Sequence, residues 1–264
     1  MGIVIALSGS APAAVGALMA LEERDIAPAL TIARGGGALA AGLYACGWRA
    51  GELARLAQAL ERNRLALLGQ LLPALSERAT ALSPRELSAL ALGDAPSDGG
   101  PPCPAAPGDA LEALLGELTR GVELRALRMP LALPVRAYRR GVDGYLPEPE
   151  PRLLATGSGA RYAVSLATAL RCAAFAPELA GAPRVRDALL TQWPDARGEL
   201  AAWRQLGGGA PLISIGPADE GDAPAQHGMR IALPAPGRRD GVRERMRTGH
   251  AAVRAHIDEL LSFC

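Results

Sequence analysis

Short apolar runs alternate with stretches of helical spacing at the start of the chain, and this alternation sets the first structural expectation. Gly2 to Ser8 (GIVIALS) is a β-branched apolar run ended by Gly9, the pattern of a buried parallel strand. Ser10 is a candidate N-cap and Pro12 suits a first helical turn. Val15, Leu18, Met19 and Leu21 then share one face before Glu22, Glu23 and Arg24. A second strand, Pro28 to Ala33 (PALTIA), runs into Gly35-Gly36-Gly37 and a small-residue helix from Ala38 to Cys46. Such a βαβα opening predicts a parallel sheet covered by helices.

Downstream, Glu52 to Leu72 has apolar residues at helical spacing with a break near Arg62-Asn63, which predicts two helices. Helices are also expected over Leu111–Leu118 and Arg161–Ala174, with strands over Met129–Tyr138, Pro211–Gly216 and Met229–Leu233. Arg243 to Leu261 reads as one amphipathic helix. Gly93 to Gly108 (GDAPSDGGPPCPAAPG) is dense in Pro and Gly and reads as a surface loop; strand patterning resumes after it, so it is not a boundary. The 264 residues are therefore expected to form one α/β unit over 1–264, three layers deep, with helices on both faces of a mainly parallel central sheet. No internal repeat is visible.

Composition narrows the function classes. With 49% hydrophobic residues, 21% charged residues and a net charge of +1, the chain has no bulk electrostatic pull toward nucleic acid or an anionic membrane. All 28 basic residues are arginine, which reads as the bias of a GC-rich bacterial genome. Cys46, Cys103, Cys172 and Cys264 show no CxxC spacing and no clustering with His227, His250 and His256, so no metal, cofactor or disulfide framework is expected. No apolar stretch approaches the ~18 residues of a transmembrane segment and no basic stretch precedes the N-terminal apolar run, so a cytoplasmic location is expected. The arginines from Arg238 to Arg247 are interspersed with Asp240 and Glu244 and read as a solvated helix face.

The chemistry concentrates at the second strand. Where a strand ends in a tight turn and a helix begins, backbone amides converge on one spot and a side chain on the turn is thrust into it. Ala33-Arg34-Gly35-Gly36-Gly37 supplies that setting, and its middle residue is Gly35. Before it come Ile3 to Gly9 and Gly16-Ala17-Leu18-Met19-Ala20-Leu21-Glu22-Glu23-Arg24-Asp25-Ile26. After it comes Ala41-Gly42-Leu43-Tyr44-Ala45-Cys46-Gly47.

In this order the segments resemble the patatin-like lipid acyl hydrolases. That family opens with a strand, a glycine-rich oxyanion loop, a helix into "LEE-x-G-I", a second strand, a G-x-S-x-G elbow and a helix ending in "GALYA-x-G". Leu124 to Tyr138, Arg171 to Pro177 and Val185 to Pro194 resemble its later segments, so the likeness spans about residues 2–261. The resemblance implies a Ser–Asp dyad with loop amides holding the oxyanion. Here it meets Gly35 at the nucleophile position and Arg186 at the aspartate position, with Asp187 one residue away. The oxyanion loop, Gly9-Ser10-Ala11-Pro12, is shortened, and Pro12 has no N–H to donate.

Two functional classes remain open at this point. One is a non-hydrolytic protein that binds a lipid, an acyl ligand or a protein partner, with Gly9, Ser10, Arg34, Gly35, Gly36 and Gly37 as the candidate ligand site. In the competing reading of those residues, the glycines serve close packing and Arg34 points to solvent. The other class is a lipid acyl hydrolase or acyltransferase with a relocated nucleophile, for which Ser8, Ser10 and Cys46 are candidates and Asp187 a fallback acid.

Overall fold

The computed structural model describes residues 2–62, 108–141, 144–157, 163–176, 181–218, 228–235, 237 and 240–263. Nine strands among these residues form one mixed, mainly parallel sheet. Its parallel part follows the apolar runs: β1 (Val4–Leu7), β2 (Leu30–Ala33), the start of β3 (Leu131–Gly141), β8 (Leu212–Pro217) and β9 (Gly228–Leu233) lie side by side in the order β3-β2-β1-β8-β9. Val4 stands opposite Leu30 on one side and Leu212 on the other. The remaining strands run antiparallel: β4 (Gly144–Pro147), β5 (Arg152–Ala155) and β7 (Ala188–Gln192) pair with β3, and β6 (Arg184–Val185) pairs with β7.

Side-chain alternation along β1 explains the layers. Ile3, Ile5 and Leu7 enter the larger core with residues of α1 (Ala11–Glu22), α2 (Gly36–Ala45), α3 (Ala50–Arg62), α4 (Gly108–Leu118), α5 (Leu166–Ala174) and α7 (Val242–Ala255). Val4 and Ala6 face the other way, joining Leu30, Ile32, Ala132 and Leu212 against Ala202, Trp203 and Leu206 of α6 (Arg197–Leu206). A residue step of one along a strand thus decides which helical layer a side chain meets. Helix α1 is buried almost all round because α2, α3 and α7 enclose it. Its small residues let α7 approach closely, as an ideal Cβ on Gly16 would stand 1.9 Å from the Met246 carbonyl oxygen.

The structure corrects several sequence expectations. The closing helix is two helices, α7 and α8 (Ile257–Leu261), because His256 leaves the helical region at φ −113°, ψ 13°. Helix α5 begins at Leu166 and not at Arg161: Ser165 is extended and its Oγ accepts the Thr168 N–H at 3.0 Å, a capping bond that fixes the start. Strands β4 to β7 and helix α6 were not expected. The loop expected over Gly93 to Gly108 gives way to α4 at its last residue, and the rest of it lies outside the described residues, as does the second helix expected after Arg62. Among the described residues no helix is long and apolar enough to cross a membrane.

Candidate functional site

The bend between β2 and α2 is the elbow the sequence predicts. Gly35 sits at φ 57°, ψ −145°, a region open essentially to glycine, and it directly precedes the first residue of α2. A side chain here would project from the apex of the turn, and Gly35 supplies none. The turn is built against three neighbours. The Gly35 N–H donates to the Ala173 carbonyl at the end of α5 (2.9 Å), the Arg34 N–H to the Leu7 carbonyl (3.1 Å), and the Gly37 N–H to the Gly9 carbonyl (3.1 Å). Within α2's first turn, Ala38 N–H donates to Gly35 O at 2.9 Å.

These bonds change what the bend can do. Two of the three glycine amides that would cradle an anion, those of Gly35 and Gly37, are already donated to carbonyls of the fold. The loop after β1 presents the Gly9 carbonyl to the bend, an acceptor where an oxyanion hole needs donors. Gly36 and Gly37 have a packing reason to be glycine: an ideal Cβ on Gly36 would stand 2.3 Å from Ala11 N and 2.6 Å from Gly9 O, and one on Gly37 would stand 2.4 Å from Leu7 O. Gly35, Gly36 and Gly37 are all buried, whereas Gly9 and Ser10 are partly accessible.

Arg34 neither points to solvent nor lies on the α2 side of the bend. It continues the Leu30, Ile32 alternation onto the opposite face, where its Nε stands 2.9 Å from Glu199 Oε1 of α6, both side chains about 4% exposed. Glu199 is the residue that sequence reading missed. The available signal was the alternation itself: an arginine in register with core positions needs an acid in the facing layer.

The remaining candidates are scattered. Ser8 is buried and its N–H donates to the Ile215 carbonyl at 3.0 Å. Ser10 occupies the N-cap position of α1 and its carbonyl takes the first helical bond from Ala14, but its side chain makes no capping hydrogen bond. Burial raises the Cys46 thiol pKa, and its Sγ donates to the Thr119 carbonyl at 3.2 Å, so the unreactive thiol form is favoured. Cys172 is buried in the core, and that burial pushes its thiol far above the ordinary range.

Arg186 and Asp187 form the two-residue turn of the β6–β7 hairpin, in which Val185 pairs with Ala188 and Arg186 takes φ 56°. The hairpin meets β3 at Arg139, seven residues beyond Ala132, the partner of Ile32 on β2. The Asp187 carboxylate accepts a hydrogen bond from Arg152 (3.3 Å) and lies 3.5 Å from Arg139 Nε; the Arg152 bond comes first in holding it below the usual carboxylate range. Glu148 joins the same cluster through two 2.7 Å hydrogen bonds from Arg152.

No family model and no curated protein matches the chain. Among solved structures, the type III effector protein ExoU aligns over 98% of this chain and 53% of its own, at 14% identity and a TM-score of 0.47. The chain thus spans about half the length of that protein.

Proposed function

We propose that this chain is a non-hydrolytic patatin-like protein, one unit over residues 1–264 that keeps the architecture of a lipid acyl hydrolase and works by binding or scaffolding. The observation that carries the reading is the conformation of Gly35: the bend of a nucleophile elbow is built, with a glycine at its apex. Support comes from the ordered motif resemblance around it, and from the loop after β1, whose Gly9 carbonyl is spent on α2. A lipid or acyl group, or a protein partner, is the ligand class this reading favours, with the protein itself acting in the cytoplasm. Of the candidate ligand residues, Gly9 and Ser10 are the accessible ones, while Arg34, Gly35, Gly36 and Gly37 shape the turn beneath them.

Labelling with a fluorophosphonate probe tests the proposal. No labelling is the expected result. Labelling abolished by Ser8→Ala or Ser10→Ala would establish the competing reading, an acyl hydrolase with a relocated nucleophile. Restoring the dyad residues with Gly35→Ser and Arg186→Asp is expected to yield no turnover of a short-chain ester. The serine would have to adopt a backbone region costing about 1–3 kcal/mol, and no pair of free loop amides at Gly35 and Gly37 would await the oxyanion.

A further inference from the structure

On the α6 face of the sheet, away from the bend, a cavity of about 680 Å³ opens between α6 and the segment Pro147 to Pro151. That segment, PEPEP, starts at the last residue of β4 and bulges on its way to β5; both strands pair with β3. The volume lies within the range of small-molecule sites, roughly 300–1,000 Å³. Arg136 of β3, Trp193, Arg197 and Arg204 line it together with Glu148 and Glu150.

The ionic pairing of this lining is uneven. Glu148 is bound by Arg152 and Arg139, and Arg197 by Asp195 at 2.6 Å, so these charges are met within the protein. Arg136 has its guanidinium carbon 5.3 Å from the centroid of the Trp193 ring. Among the described residues neither Arg136 nor Arg204 has an acid partner, and Glu150 has no basic one. Of the five charges lining the cavity, the two on Arg136 and Arg204 and the one on Glu150 are thus left to face it without an opposite charge among the described residues.

The arginine platform is also held in place before any ligand arrives. The Trp193 indole N–H donates to Asp195 Oδ1 at 3.0 Å, and the ring packs so closely on α6 that an ideal Cβ at Gly198 would stand 2.5 Å from its Cδ1. A guanidinium stacked on a fixed indole loses little freedom on taking a planar oxyanion. Pro147, Pro149, Pro151 and Ala201 supply an apolar wall.

We infer that this cavity is a binding site for a small organic carboxylate with a compact apolar body, its carboxylate taken by Arg136 and Arg204. Glu150 repels the second charge of dianionic phosphate, and the apolar wall gives inorganic phosphate nothing to bury, so an apolar monocarboxylate is favoured over it. The site does not depend on the reading of the bend and stands or falls separately.

Titration of the isotope-labelled full chain, followed at the Trp193 indole N–H resonance, tests it with three probes: 3-phenylpropionate, its neutral amide and inorganic phosphate. A saturable shift with 3-phenylpropionate is expected, with the amide and phosphate at least about tenfold weaker, the loss typical of a charge-assisted hydrogen bond. Arg204→Gln, an exposed change that spares the core, is expected to weaken 3-phenylpropionate by about tenfold or more. Gly51→Ala, an exposed change in α3 with nothing within 4 Å of the new Cβ, is expected to leave that affinity unchanged. Absence of a saturable shift, equal binding of acid and amide, or full affinity in the Arg204→Gln variant would each overturn the assignment.

Discussion

The bend after β2 and the bulge between β4 and β5 belong to one sheet, yet they treat polar groups in opposite ways. At the bend, the Gly35 and Gly37 amides are consumed by carbonyls of α5 and the β1 loop, glycines let backbone meet backbone, and Arg34 is matched by Glu199 beneath. At the bulge, side chains do the facing, and Arg136 and Arg204 open onto a cavity. The region whose sequence looks most like a catalytic centre is the closed one. Open chemistry lies mostly over segments for which the sequence announced no element, so motif resemblance and available reactivity are separate properties here.

The largest expected effect tests how firmly the bend is sealed from below. Glu199→Ala leaves the Arg34 charge buried and should destabilise the fold by about 3–5 kcal/mol in urea unfolding. Replacing both partners, Arg34→Met with Glu199→Leu, should recover most of that loss, because burying two apolar side chains avoids the desolvation of an ion pair. A small loss in the single variant would mean that water or the other contacts of Arg34 hold its charge, and that Glu199 is not what seals the bend from below.

Next comes the close approach above the bend. Gly36→Ala places a methyl group against the Ala11 amide and Gly9 carbonyl, both backbone atoms that cannot move aside cheaply, and should cost about 1–3 kcal/mol. Gly51→Ala, in the exposed first turn of α3 with nothing within 4 Å of the new Cβ, should instead be neutral or stabilising by up to about 1 kcal/mol. Thermal midpoints of the two variants, measured side by side, should therefore move in opposite directions or at least differ clearly. Equal effects would remove packing as the reason for Gly36.

The same contrast explains what could be read from sequence. GIVIALS and PALTIA are apolar on both faces, as strands covered by helices on both sides must be, so β1 and β2 were legible, as was the bend at Gly35. Strands β4 to β7 were not: Gly144–Pro147 and Arg152–Ala155 flank a proline-rich run, and their pairing is fixed by β3, a long-range partner that no local period announces. Helix α6 was hidden because Arg197-Gly198-Glu199 opens it with a poor helix former and a charge. That charge makes sense only once Arg34 is seen to face it. At the candidate site, the missing nucleophile was legible in Gly35, whereas the capture of its amides by Gly9 and Ala173 depends on backbone geometry and leaves no trace in composition.

Acid acts first on the charges at the bulge. Hydrogen bonds from Arg152, reinforced by Arg139, hold the Glu148 carboxyl below its ordinary value of 4.5. A group depressed in the folded state stabilises fully above its unfolded value and loses that contribution as pH falls through the folded one. Glu148→Gln should therefore be less stable than the parent at neutral pH, with the gap closing as pH drops below the ordinary glutamate value. A gap that stays constant into acid would show that Glu148 acts by shape and not by charge. The Arg34–Glu199 pair should dominate the neutral-pH comparison, because Glu148 is partly solvated and its pairing is screened.

The smallest effect is expected at Leu146. Its side chain on β4 is 64% exposed, so replacing it removes little surface from water, and Leu146→Ser should change stability by less than about 0.5 kcal/mol. A null result here is informative because β4 pairs with β3 at Tyr138 to Gly141, on the same antiparallel side as the bulge. If that side is as open as the cavity suggests, its strands tolerate polar change on the outer face while the bend tolerates none. A loss of more than about 1 kcal/mol would instead mean that Leu146 is covered in solution, since only burial gives a leucine that much to lose. Repeating the unfolding over a range of protein concentrations would then distinguish a second copy from cover within the chain, because only association makes the midpoint depend on concentration.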